Sequence, residues 1–179
     1  MEKHREGTFF PGWLLLAILL AATFLRCAAL GLMEDMLHHD EAYEGVDALS
    51  LLQHPRLTPF FPGNYGRESG WCYALTLFLA IFGARSFALR LAAAVTSVLT
   101  LAASYALGKE ILGRRGAALS AAALSVLYWH VHLSHLALRA LLFPLVGALA
   151  FAALLRAHRT NRFRWWIAGG VATGLMGYT

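Results

Sequence analysis

The chain has 179 residues, of which 59% are hydrophobic and only 14% charged, with a formal net charge of +5. Soluble domains carry about 25% charged residues, so this composition argues against an ordinary water-soluble domain and for a polytopic membrane protein. The basic residues stand in short clusters between apolar runs, not in one patch, which argues against a nucleic-acid partner and fits membrane topology.

Residues 13–32 read as the first spanning helix, about 30 Å long at ~1.5 Å per residue. The same run can be read as a cleaved signal peptide. In "FLRC", however, Arg26 takes the place of the small residue that a cleavage site wants, and the length favours an uncleaved helix. Arg26 is near the far end, where a long side chain is expected to reach the headgroups. Cys27 and Cys72 lie in apolar surroundings, and neither a bridge nor a redox role is expected.

Residues 71–83, "WCYALTLFLAIFG", are apolar but short of the ~20 residues that a crossing needs. Further spanning helices are predicted at 86–112, 116–133, 139–155 and 165–179. If 71–83 does not span, Lys3 and Arg5, then Lys109, Arg114 and Arg115, then Arg156, Arg159, Arg162 and Arg164 all face the cytoplasm, as the positive-inside rule asks. If it spans, the last two clusters lie outside. The run is therefore expected to lie on the outer leaflet as a juxtamembrane helix or to dip in and out. Residues 33–85 then form one extracytoplasmic loop, which holds seven of the ten acids. The fold expected is an all-α transmembrane bundle in a plasma or inner membrane, with the N-terminus cytoplasmic.

Within that loop, "HHDEAYEGVDALSLL" reads as an amphipathic helix over 40–53. Ala42, Val46, Leu49 and Gln53 share one face, and Asp40, Glu44 and Asp47 lie opposite, with Leu51 intruding. The helix is expected to lie along the membrane with its carboxylates outward, so that Glu44 and Asp47 are solvated. Asp40 begins the helix close to the bilayer, where it can serve as an N-cap or as chemistry.

These residues resemble the first external loop of the GT-C membrane glycosyltransferases, in the branch of protein O-mannosyltransferases and lipid A aminoarabinose transferases. The likeness continues in order through "YGRESGWCYALTLFLAIFGARSFALRLAAAV" and "GKEILGRRGAALSAAALSVLYWHVHLSHLALRALLFPLVGALAFAALLRAHR". It runs from about residue 9 to the end. The resemblance implies a bundle of roughly a dozen spanning helices, of which this chain supplies about five, as the N-terminal part.

It also implies transfer of a sugar from a polyprenyl-phosphate donor to a lipid, glycan or protein acceptor on the extracytoplasmic face. By matching position, Asp40 is the expected catalytic base, with inversion at the anomeric carbon. Glu41 is expected to orient Asp40 or the substrate, and Glu68 to contact the acceptor. Arg67 and Arg139 are candidates for stabilising the leaving phosphate, with headgroup snorkelling as the plain alternative for Arg139. His39 is expected to bind substrate or tune Asp40. Tyr43 can stack on a sugar, although packing is its commoner role.

The segment "LALRALLFP" carries no acid where many relatives have one, which weakens a metal-dependent reading. His130, His132 and His135, with His38 and His39 across the loop, raise zinc. Only His132 and His135 share i, i+3 spacing, so no metal site is expected and no cofactor is required. Trp71, Tyr73, Trp129, Trp165 and Trp166 fit an aromatic belt. The rival readings are a transporter component, disfavoured because the carboxylates cluster outside the helices, and an inactive fragment of such an enzyme.

Overall fold

The computed structural model describes residues 12–28, 30 and 37–179. Lys3, Arg5, Glu34, Asp35 and the last two residues of the predicted 13–32 helix lie outside the described residues. The fold is all-α, as predicted, with 81% of the described residues in helix. The helices are α1 (Gly12–Cys27), α2 (His39–Gln53), α3 (Gly70–Phe82), α4 (Ser86–Val126), α5 (Tyr128–Leu133), α6 (Leu142–Thr160) and α7 (Phe163–Leu175). Between α2 and α3 a small antiparallel hairpin pairs β1 (Phe60–Phe61) with β2 (Arg67–Glu68), in the register Phe60 to Glu68. Cys27 and Cys72 are free thiols.

Two helices among the described residues, Ser86–Val126 and Arg139–Thr160, are long and apolar enough to cross a membrane. α1 and α7, with 16 and 13 residues, fall short of the ~20 that a crossing needs. α4 is not one rod. Gly113 has φ 74° and ψ 179°, a conformation that is essentially glycine's alone. The chain reverses there: a Cβ on Gly108 would lie 3.0 Å from Ala117 Cα, whereas nine residues along a straight helix span about 13 Å. The arms of α4 match the predicted helices at 86–112 and 116–133 up to Val126. The second arm then stops, because Leu127 is extended (φ −63°, ψ 120°), and the short α5 follows. No glycine or proline marks this break.

Arg26 corrects an expectation. It does not reach outward. It is fully buried and ties α1 to both arms of α4. Its Nε donates to Ser97 Oγ (2.8 Å), and its Nη1 to the carbonyls of Ala22 (3.1 Å) and Ser125 (3.0 Å). Its Nη2 lies 2.8 Å from His130 Nδ1. Turning inward satisfies four polar contacts that an apolar exterior could not supply.

The core beneath α2 gathers Ala48, Trp71, Leu75, Leu79, Leu89 and Ala92, with Ala137 and Leu141 from the segment between α5 and α6. Trp71 is thus a core residue, not part of a belt, and Tyr73 holds the loop before β1 by bonds to Thr58 and Arg56. Trp129 and Trp166 remain exposed.

Candidate active site

The start of α2 is built by a reciprocal cap. His38 is the N-cap, a role the sequence left open to Asp40. His38 Nδ1 accepts from Asp40 N–H (3.3 Å), and Glu41 Oε2 accepts from His38 N–H (2.8 Å). The cap fixes the first turn, so the directions of Asp40 and Glu41 follow from helical geometry.

Glu41 points inward and is fully buried. Its Oε1 accepts from the backbone N–H of Ala137 (2.8 Å) and lies 3.7 Å from the buried Arg90 Nε. The carbonyl of Ala137 accepts from Trp71 Nε1 (2.9 Å). Ala137 is therefore gripped at both main-chain groups, by α2 and by α3. Two residues further on, the 3-10 turn Arg139–Leu141 leads into α6. The grip on Ala137 is what brings Arg139 to the start of α2, 99 positions away along the chain from Asp40.

The acidic face of α2 is turned into the protein, which corrects the expected orientation. The buried residues are Glu41, Glu44, Ala48 and Leu51, a single helical stripe, while Val46 is exposed. Ala42, Val46 and Leu49 border an apolar groove with Leu79 and Leu89. Glu44, expected in solvent, is buried instead. Burial pushes its carboxyl up to about 7, against the opposing pull of the Arg139 backbone N–H and the Arg67 charge. Asp47 is paired with Arg67.

An open cavity of about 400 Å³ forms at this point. His39, Asp40, Asn64, Arg67 and Arg139 line it, with Glu44 at its base. Asp40 is 48% exposed at its side chain. Its Oδ1 accepts from Asn64 Nδ2 at 2.9 Å, and this bond, aided by His38 and His39, holds the carboxyl below its usual range. Asp40 is thus an ionised, accessible base at neutral pH. Arg67 is buried, lies over the Tyr43 ring (5.8 Å to its centre) and bonds Asp47 through Nη2. Its Nε and Nη1 have no hydrogen-bond partner among the described residues. Arg139 is 44% exposed and donates to Glu68 Oε2 at 2.8 Å.

Of the residues singled out from sequence, the cavity collects His39, Asp40, Arg67 and Arg139. Three stand behind it. Glu41 is buried beneath, Glu68 steers Arg139, and Tyr43 packs between the His39 ring (4.8 Å) and Arg67. Asn64, Tyr65 and Glu44 were missed. The turn signal "PGNYG" is the one clue in the sequence to the first two. Of the other histidines raised for zinc, His130 is taken up by Arg26, and the remaining two are held locally. His132 stacks on Tyr128 (5.7 Å), and His135 Nδ1 lies 2.9 Å from Val131 O. Among the described residues no three His, Cys, Asp or Glu side chains converge as metal ligands.

The arrangement places an anionic proton acceptor and two guanidiniums around one cavity. Such a site can take a proton on one side and neutralise a developing anion on the other. Comparison with protein-family profiles matches residues 70–179 to the dolichyl-phosphate-mannose-protein mannosyltransferases. No curated protein and no solved structure matched the chain. The matched segment contains α3 to α7 and Arg139, while Asp40, Glu41, Arg67 and Glu68 precede it. Since that segment is more than half of the chain, the protein belongs to the dolichyl-phosphate-mannose-protein mannosyltransferase family, whose members are membrane glycosyltransferases of the GT-C type.

Proposed function

We propose that the protein moves a sugar from a polyprenyl-phosphate carrier to an acceptor on the extracytoplasmic side of the membrane. Asp40 takes the proton of the acceptor nucleophile as that atom attacks the anomeric carbon. The bond from that carbon to the phosphate oxygen breaks, and the lipid phosphate leaves with the electron pair. Arg67 and Arg139 neutralise its charge as it forms. A single displacement inverts the anomeric centre. Glu41 acts behind the site by holding the first turn of α2 and the Ala137 backbone. Glu68 sets the direction of Arg139 and meets the acceptor, and His39 flanks Asp40.

The observation that carries this reading is the convergence of Asp40, Arg67 and Arg139, from three separate chain segments, on one cavity. The family supplies the chemistry for which such a cavity is suited. The basic clusters support a cytoplasmic N-terminus and an extracytoplasmic cavity.

The test is transfer by the full-length protein in vesicles, using a panel of polyprenyl-phosphate sugars. Asp40→Asn should abolish transfer while membrane insertion and melting behaviour are kept. Transfer by that variant at the wild-type rate would remove Asp40 from the mechanism.

A further inference from the structure

The turn that carries Asn64 breaks a local rule. Asn64 and Tyr65 have φ of +49° and +66°, and the Gly66 N–H closes the turn on Gly63 O at 3.1 Å. Hairpin turns with two positive φ values take glycine at the second central position, as in Asn-Gly, because a Cβ is strained there. Here a tyrosine occupies it. The next residue does follow the rule: Gly66 has φ +86°, and a Cβ there would collide with the Phe60 ring, so only glycine fits.

Packing does not explain Tyr65. Its side chain is fully exposed at 105%, yet it borders the cavity that holds Asp40. Strain retained at a solvent-facing position, beside ionised groups, marks a functional position. The adjacent Asn64 spends its amide on Asp40. The turn thus offers a flat aromatic face at the mouth and a donor fixed on the base. A pyranose presents the complementary surfaces: a C–H face that stacks on an aromatic ring, and hydroxyls at its edge for polar partners.

We infer that the Asn64–Tyr65 turn is a sugar-recognition element, in which Tyr65 is the stacking platform for a pyranose ring and Asn64 positions Asp40. The inference rests on the transfer reaction proposed above and adds the group that holds its sugar. Asp40 is faced by His38 and His39 from its own helix end and by Asn64 from the turn, with Glu44, Arg67 and Arg139 around the cavity. Asn64 is the one that bonds it directly from outside the helix.

The first arm of the test needs no turnover. The full-length protein in vesicles is titrated with polyprenyl-phosphate mannose, glucose, galactose and aminoarabinose, and with the bare polyprenyl phosphate. Wild type should bind at least one sugar-bearing carrier more tightly than the bare one. Tyr65→Gly, which suits the positive φ and therefore folds, should lose about three- to tenfold of that preference. Tyr65→Phe and Tyr65→Trp should keep it. If donor binding is unchanged in Tyr65→Gly but KM for a glycan acceptor rises by the same factor, the ring belongs to the acceptor, and the platform stands. If neither changes, or if wild type shows no preference for any sugar, the platform is refuted.

The second arm is the pH profile of kcat/KM. In Asn64→Gly, which also suits its positive φ, the acid limb should move to higher pH, while a merely structural role would lower activity evenly. An unmoved limb refutes the positioning role. Loss of the Tyr65 effect with Asp40→Asn still inactive leaves the transfer reaction intact, so the two readings fail separately.

Discussion

Replacing Glu41 probes how the site is assembled. Its carboxylate accepts from the backbone N–H of His38 and of Ala137, both at 2.8 Å, and lies 3.7 Å from Arg90 Nε. A hydrogen bond to an ionised group is worth about 1.5–3 kcal/mol. Losing both in Glu41→Ala therefore costs about 3–6 kcal/mol before the buried charge pair is counted. Glu41→Gln keeps one carbonyl oxygen but turns an NH2 toward the second N–H, so it should cost roughly half as much. Thermal melting in detergent, followed by fluorescence, should show Glu41→Ala lowered by about 10 °C or more and Glu41→Gln in between. Asp40→Asn, one residue away and half-exposed, should melt within about 2 °C of wild type. Transfer should fall in all three. In the Glu41 variants the fall follows from loosening of the segment that carries Arg139. A Glu41→Ala protein that melts with wild type would refute the claim that this carboxylate holds the two segments together.

Glu44 sets a pH dependence. Burial raises its carboxyl from 4.5 to about 7, so the folded protein binds the extra proton between those values. The stability it contributes is present in full below about pH 4.5 and is lost as pH rises through about 7, with a slope of at most ~1.4 kcal/mol per unit. Glu44→Gln should remove that fall from a series of melts between those pH values, and an identical slope in both proteins would refute the assignment. At Gly113, alanine is strained by about 1–3 kcal/mol, so Gly113→Ala should melt lower, while Gly174→Ala, with open space and ordinary helical backbone, should not.

How much of this was legible in the sequence follows from what each residue needs as a partner. The existence of α2 was readable from local chemistry alone, since "HHDEAYEGV" supplies both capping groups and a helical period. Its orientation was not. Periodicity says that a helix has two unlike faces, but the usual rule that the apolar one is inside assumes water outside. Here the Ala42–Val46–Leu49 face borders an apolar groove, and the carboxylates find Arg67 and backbone N–H groups within.

Partners far along the chain are the common reason for the other misses. Arg26 meets Ser97, Ser125 and His130 across 71 to 104 positions, and Glu41 meets Ala137 across 96. No local pattern encodes such pairs. The reversal at Gly113, by contrast, was marked by the basic "GRR" that closes an apolar run. Asp40 was found through the position it matches in the resemblance and Arg139 through the topology that returns its segment to the outer face, and the turn with Asn64 and Tyr65 passed as an ordinary loop.

The double grip on Ala137 has a consequence for how this site tolerates change. What α2 and α3 hold there is an amide hydrogen and a carbonyl oxygen, which every residue but proline possesses. The side chain contributes only its small volume. Glycine or serine at that position would preserve the hub, and proline alone would sever it at the amide. This junction of the fold is thus nearly anonymous in composition, and drift at position 137 among small residues can leave the chemistry of its neighbours untouched.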